Sequence, residues 1–428
     1  MPLEKPVLPL PRGALRDFGG VYAVNAVVAF LFASTGPVAI ILAVGARGGL
    51  AESDIASWIF GAFFVNGLIS IAFSVLYRQP LVFLWTIPGA VLVGPALGHL
   101  SFAEVIGAYH ATGLLMLLLG LSGWVRRAME AVPMPIVMAM VAGVFLRFGV
   151  DLVLAFRDAF WIALPMTAAF FILSAFPRGA RVIPPLIAAL VLGALAVWWL
   201  GSFRPPAGAL LAIAHPNLYL PRFSWNAMVE LVVPLAITVL VVQNAQGIAV
   251  LAANGHAAPI NAITAACGAG SILTALFGAV STCLTGPVNA VLSSSGELRR
   301  HYTGAIFFSF LATAFGLLAP FVTRLLLATP PAFIATLAGL AMLRVLQTAF
   351  TLAFRDRFSF GALLCFLVTV ADVQILRIGA PFWGLVFGLA TAWLLERKSQ
   401  PGVAAPFREM SSGSRATRRK VRARAGWK

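Results

Sequence analysis

Apolar stretches long enough to cross a bilayer follow one another along almost the whole sequence, with short polar breaks between them. A membrane-spanning helix needs about 20 mainly apolar residues. Of the 428 residues, 61% are hydrophobic and 10% charged, whereas a soluble domain has about 45–50% and about 25%. No soluble packing of this length hides that much apolar surface, so the chain reads as a polytopic integral membrane protein.

The apolar runs predict about fourteen crossings. Their starts fall near Gly19, Asp54, Pro80, Glu104, Pro133, Asp158 and Val182, then near Trp225, Pro259, Ala279, Tyr302, Pro330, Ser359 and Leu376. The first run follows Lys5, Arg12 and Arg16 but continues to about Val44, too long for a signal peptide. The expected division is an N-terminal segment 1–18, a first repeat 19–201, a connecting loop 202–224, a second repeat 225–395 and a basic tail 396–428.

The formal net charge is +16. The basic residues sit in short loops and in the tail Arg408–Lys428 and form no single face, so nucleic acid is not an expected partner. Basic residues concentrate in cytoplasmic loops of membrane proteins. Placing the N-terminus inside gathers Arg78, Arg126, Arg127, Arg178, Arg181, Arg299, Arg300, Arg355, Arg357 and the tail on one side. The other side keeps Arg47, Arg157, Arg204, Arg222, Arg324 and Arg377. Both termini are therefore expected in the cytoplasm, with the chain in a cell inner membrane.

The two halves look related. Pro135, Ala139, Ala142 and Gly143 follow the pattern P-x-x-x-A-x-x-A-G, and so do Pro331, Ala335, Ala338 and Gly339. Arg147 trails the first and Arg344 the second. Gly193 and Trp198 match Gly388 and Trp393, and Thr86–Pro88 matches Thr285–Pro287. Each match is weak alone, but the three occur in order at nearly one offset. Seven spans is an odd number, so the second repeat enters from the opposite side. That is an inverted repeat, in which substrate sites lie between broken helices. Spans three and ten are the equivalent pair here.

Proline and glycine interrupt span three at Trp85-Thr86-Ile87-Pro88-Gly89. A half-helix starting near Pro88 would present amide N–H groups to an anion; a plain proline kink is the simpler alternative. Span ten offers Gly278, Ala279, Ser281 and Thr282, small enough for backbone to approach a ligand, or merely for helix packing. Span eight carries Gln243, Asn244 and Gln246 with Gly247, an expensive cluster in lipid unless it meets substrate or neighbouring helices.

Arg147 and Asp151 are four apart and read as a local ion pair or as substrate contacts. Asp372 and Arg377 read as an ion pair or a gate. Glu230 is expected at an interface, and His110 as a packed histidine or a proton carrier. Cys267, Cys283 and Cys365 show no metal-ligand spacing and no disulfide framework. With no nucleotide loop, metal cluster or catalytic triad in the sequence, neither an enzyme nor a cofactor is expected.

Several segments together resemble the benzoate:proton symporter family. They are Gln243–Gly255, Ala142–Gly149, Trp85–Ala90, Phe366–Thr369 and Ile378–Gly388, within a similarity over roughly residues 15–395. The family is similar in fold to nucleobase transporters. The resemblance implies an all-α membrane protein of about fourteen segments in a seven-plus-seven inverted repeat, with segments three and ten broken. Spans one to four and eight to eleven would form a core, and the rest a gate. Gly278-Ala279-Val280 stands where the family usually has Gly-Gly-His, and Asn244 where the nucleobase transporters carry an acidic residue.

The expected function is alternating-access secondary transport of a small organic anion, benzoate or a related aromatic carboxylate, with protons. An anion channel or uniporter on the same fold is the alternative. The expected site comprises Trp85, Thr86, Pro88, Gly89, Gln243, Asn244, Gln246, Gly247, Gly278, Ala279, Ser281 and Thr282. The carboxylate would lie between half-helix starts near Pro88 and Ala279. The expected partners are the anion, protons and the lipid bilayer, with a homodimer left open.

Overall fold

The computed structural model describes residues 3–7, 13–176, 184–205, 212–355 and 357–396. Arg12, Arg178, Arg181, Val182, Pro206 and the tail beyond Glu396 lie outside the described residues.

The first half begins with α1, Gly20–Arg47, broken at Thr35, and α2, Glu52–Tyr77. Strand β1, Phe83–Trp85, leads into the half-helix α3, Ile87–Ala96. Then come α4, Phe102–Ser122, α5, Met134–Asp158, α6, Phe160–Ala175, and α7, Pro185–Trp199. The same order returns after the connector. Helix α8 is Trp225–Ala253 and α9 is Ile260–Ala275. Strand β2, Thr282–Leu284, precedes the half-helix α10, Gly286–Leu292. The half closes with α11, His301–Leu317, α12, Pro331–Phe354, α13, Ser359–Ala371, and α14, Ala380–Glu396.

Proline sets many of these starts. Pro88, Pro135, Pro185, Pro287, Pro331 and Pro381 all occupy the first two helical positions. The missing proline N–H is no loss there, and its fixed φ already suits a helix.

Among the described residues, six helices are long and apolar enough to cross a membrane, or seven when α11 is joined to the short helix Ala319–Leu327 across a 65° bend. Six further apolar helices have 10–17 residues, α3 and α6 among them. These fall short of about 20 residues because breaks divide the runs. The chain is thus a mostly helical membrane protein.

Two packing groups are evident. Helix α4 lies along α9, and α2 and the first part of α1 lie along α11; α5 lies along α12 and α13, and α13 along α14, with the second part of α1 bridging to α12. Glycine permits the closest approaches. A Cβ at Gly113 would lie 2.9 Å from the Gly268 carbonyl, and one at Gly120 would lie 2.5 Å from the Ala265 nitrogen. Close backbone contact through small residues is how helices associate where lipid removes the hydrophobic drive.

Contacts also cross between the two halves of the chain. Gly193 of α7 faces Phe333 of α12, and Gly388 of α14 faces Ile136 of α5.

The connector is tied down. The Tyr219, Arg222 and Ala214 amides donate to the Leu276, Ala103 and Leu317 carbonyls at 2.8–2.9 Å. The Tyr219 hydroxyl donates to Asp54, and burial, reinforced by that carboxylate, raises the phenol's pKa.

Candidate functional site

The two broken segments meet in the middle of the molecule. Strands β1 and β2 run antiparallel, with Phe83 opposite Leu284, Leu84 opposite Cys283 and Trp85 opposite Thr282. The ladder extends through Thr86 N–H to the Ser281 carbonyl (2.9 Å) and Thr285 N–H to the Val82 carbonyl (3.1 Å). The two strands, each followed by a half-helix, thus run in opposite directions. Two short strands would leave backbone groups unpaired in an apolar setting, which costs free energy for each group.

Flanking side chains supply the missing partners. Ser70 Oγ of α2 accepts from the Phe83 amide (2.8 Å), and Ser271 Oγ of α9 accepts from the Thr282 amide (2.9 Å). Ser74 Oγ donates to the Leu81 carbonyl. Asn289 Oδ1 accepts from the Val82 amide (3.1 Å) and Asn244 Oδ1 from the Leu284 amide (2.8 Å). Thr282 Oγ1 donates to Asn66 Oδ1 (2.8 Å). The sequence reading missed Asn66, Ser70, Ser74, Ser271 and Asn289. The spacing of Ser70 and Ser74, one helical turn apart in an apolar run, is the signal that marks such a polar stripe.

At the start of α3, Thr86 Oγ1 accepts from the Gly89 amide (3.2 Å) and donates to Thr238 Oγ1 (3.2 Å). This N-cap fixes α3 against α8, whose stretch Thr238–Asn244 is π-helical. Such bulges often sit at functional sites. Here the bulge rotates Asn244 onto β2 while Gly247 brings α8 against Leu284.

The structure gathers most of the expected site residues at this break. Trp85, Thr86, Asn244, Ser281 and Thr282 are buried there, as are Pro88, Gly89 and Gly247. Gln246 packs over Gly286. Gln243 is buried and Gln246 exposed, and neither carboxamide makes a hydrogen bond among the described residues. The Ser281 hydroxyl and the Trp85 indole N–H are buried without a partner among the described residues.

Several placements differ from the expected ones. The second half-helix starts at Gly286, with Thr285 as its N-cap, and not near Ala279. Gly278 and Ala279 form the turn before β2, where Gly278 has φ +76° and Ala279 abuts Gly61. The intervening residues are extended because they pair with β1. Asn244 accepts from the Leu284 amide and reaches Cys267 Sγ, so its carboxamide braces β2. Asp151 pairs with Arg47 of α1, leaving Arg147 without an ion-pair partner among the described residues. Asp372 and Arg377 likewise do not pair with each other; both have positive φ in the α13–α14 turn.

A cavity of about 480 Å³ lies between α1 and α3 on one side and α5, α13 and the start of α14 on the other. None of the expected site residues lines it. It reaches the last turn of α3 at Gly94 and Pro95. Glu230 is buried at a nearby junction, where a carboxylate oxygen meets His99 Nε2 (2.9 Å), and Gln374 reaches His99 Nδ1 (2.8 Å). His110 is bonded to the Ile106 carbonyl within α4. The three cysteines are free and buried. No group of three metal-ligating side chains occurs among the described residues.

The fold matches solved transporters at low sequence identity. The transmembrane domain of the cyanobacterial bicarbonate transporter BicA superposes with TM-score 0.60 at 15% identity, covering 90% of this chain and 99% of that one. The overall structure of SLC26A9 gives TM-score 0.62 at 14% identity, covering 87% of this chain and 64% of that one. In sequence, the chain is 26% identical to the benzoate membrane transport protein of Acinetobacter baylyi over 86% of its length and 93% of the relative's. It is 28% identical to the inner membrane protein YdcO of Escherichia coli over 84% of its length and 92% of the relative's. The family profile described as "Benzoate membrane transport protein" matches residues 19–394. A match over most of the chain places it in a family of membrane transporters, not enzymes: the chain belongs to the benzoate membrane transport protein family.

Proposed function

We propose that the protein is a secondary transporter that moves a small organic anion, benzoate or a related aromatic carboxylate, across the inner membrane together with protons. The observation that carries this reading is the antiparallel meeting of β1 and β2, each leading into a half-helix that runs away from the meeting point. Helix starts carry partial positive charge and spare amide donors. Two of them directed at one place favour an anion. The Ser281 hydroxyl and Trp85 indole N–H, unpartnered among the described residues, offer further donors at that break, and Gln243 adjoins Asn244 in the same π-helical stretch.

In this reading the chain crosses the membrane fourteen times, seven per repeat, with both termini in the cytoplasm. The α1–α4 and α8–α11 group forms the core, and α5–α7 with α12–α14 the gate. Arg78, Arg299 and Arg300 gather around one pocket together with Asp17 and Glu297, and in this reading that pocket faces the cytoplasm. The cavity by Arg47 and Arg147 then opens outward. Closing it while opening the opposite side, by rocking one group against the other, is alternating access.

A uniporter is the second reading. It is favoured by Asn244, a neutral side chain already committed to β2, where a proton-binding carboxylate would otherwise stand. Uptake of labelled benzoate into proteoliposomes separates the two. Symport predicts uptake accelerated several-fold by an inward proton gradient and abolished when a protonophore dissipates it. Saturable uptake indifferent to the gradient favours the uniporter, and no uptake of any aromatic carboxylate rejects both.

A further inference from the structure

Arg147 stands near the middle of α5, in the wall of the cavity between the two packing groups. A guanidinium at membrane depth is costly and is retained where it meets a partner or a wet cavity. Its near neighbours are already engaged. Asp151, one turn on, is paired with Arg47, and the Arg47 guanidinium also lies 5.9 Å from the centre of the Phe148 ring. Arg344, which trails the matching motif of the second half one position later, donates to the Gln347 side chain (3.3 Å). Arg147 has no such bond among the described residues.

We propose that the cavity is a second binding site, for a small organic monoanion with an apolar body, and that Arg147 is its counter-charge. Ligand pockets are mostly apolar clefts of about 300–1,000 Å³ with a few placed polar groups. This cavity has the size, about 480 Å³, and the walls, Val44, Val91, Val144 and Phe148. A carboxylate takes two parallel N–H bonds from a guanidinium, and an aromatic body lies against the valines. Asp372 lines the same cavity without an ion-pair partner among the described residues and opposes an anion. The site lies alongside α3, whose far end is the break, so it would receive the anion before the cradle does. The inference rests on the transport reading only for the choice of probe.

Cysteine protection tests it without requiring transport. Val144→Cys places one accessible thiol on the cavity wall, while Cys267, Cys283 and Cys365 are buried. In the purified full-length protein, benzoate should slow maleimide labelling of this thiol, and neutral benzamide should do so far less. Adding R147Q should raise the half-protecting benzoate concentration roughly tenfold or more, the scale of a lost charge-assisted bond. R147K should recover much of the loss, and D372N should lower the concentration. No protection, or equal protection by benzoate and benzamide, would overturn the site even if R147Q fails to fold. The same half-protecting concentration with and without R147Q would also overturn it. Protection in a protein that shows no benzoate uptake would count against the transport reading and for this site.

Discussion

Gly247→Val is expected to reduce benzoate uptake at least tenfold per folded molecule. A Cβ at Gly247 would lie 2.7 Å from Leu284 Cδ2 and 3.1 Å from the Leu284 carbonyl oxygen. Leu284 is the last residue of β2, buried and paired with Phe83. Its backbone cannot retreat without breaking that pairing. Overpacking a tight contact costs about 1–3 kcal/mol, and here the strain falls on the residues that aim α10 at α3. Gly20→Ala is the matched control, because nothing lies within 4 Å of an added Cβ there. Initial uptake rates in proteoliposomes, normalised to protein that elutes as a single folded species, check the pair. Wild-type uptake by Gly247→Val would show that the meeting of the two strands does not matter to transport.

Asn244→Leu should lower thermal stability and Gln243→Leu should not, although the two residues are adjacent. The Asn244 carboxamide is fully buried and accepts from the Leu284 amide at 2.8 Å. Leaving that amide without a partner costs about 1–3 kcal/mol. Asn289→Leu should cost a similar amount, since it strands the Val82 amide that Asn289 accepts at 3.1 Å. Gln243 makes no hydrogen bond among the described residues. Replacing it should leave the unfolding temperature in place and raise the benzoate concentration for half-maximal uptake. Unfolding temperature and half-saturation, measured on all three variants, separate residues that hold the break from those that face the anion.

The contrast between these neighbours also shows what could be read from the sequence. The apolar runs, the connector at 202–224 and the mirrored Thr-x-Pro breaks come from composition and offset. Most structural elements begin within a few residues of the expected places, because proline and glycine punctuate the chain locally. The start of α10 was also written there: Thr285-Gly286-Pro287 repeats Thr86-Ile87-Pro88, and proline opens a helix readily. Weight given to the small residues near Ala279 instead put the start seven residues early. What the sequence could not show was partner choice. Asn244 beside Gln243 looks like one polar patch until a π-helical turn sends it to β2. Arg147 and Asp151 look like a local pair until α1 brings Arg47 to Asp151. Such choices depend on which helices pack together, and four-residue spacing carries no record of that.

The central claim is that an anion sits where α3 and α10 begin. The most direct measurement is a density map of the protein in lipid nanodiscs with 4-iodobenzoate, whose iodine marks the ring unambiguously. The account predicts a carboxylate within hydrogen-bonding distance of amides at the starts of α3 and α10, near Pro88 and Pro287, in at least one conformation. Iodine found only against the lipid-facing surface, with the break still closed around Thr86 and Ser281, would contradict it.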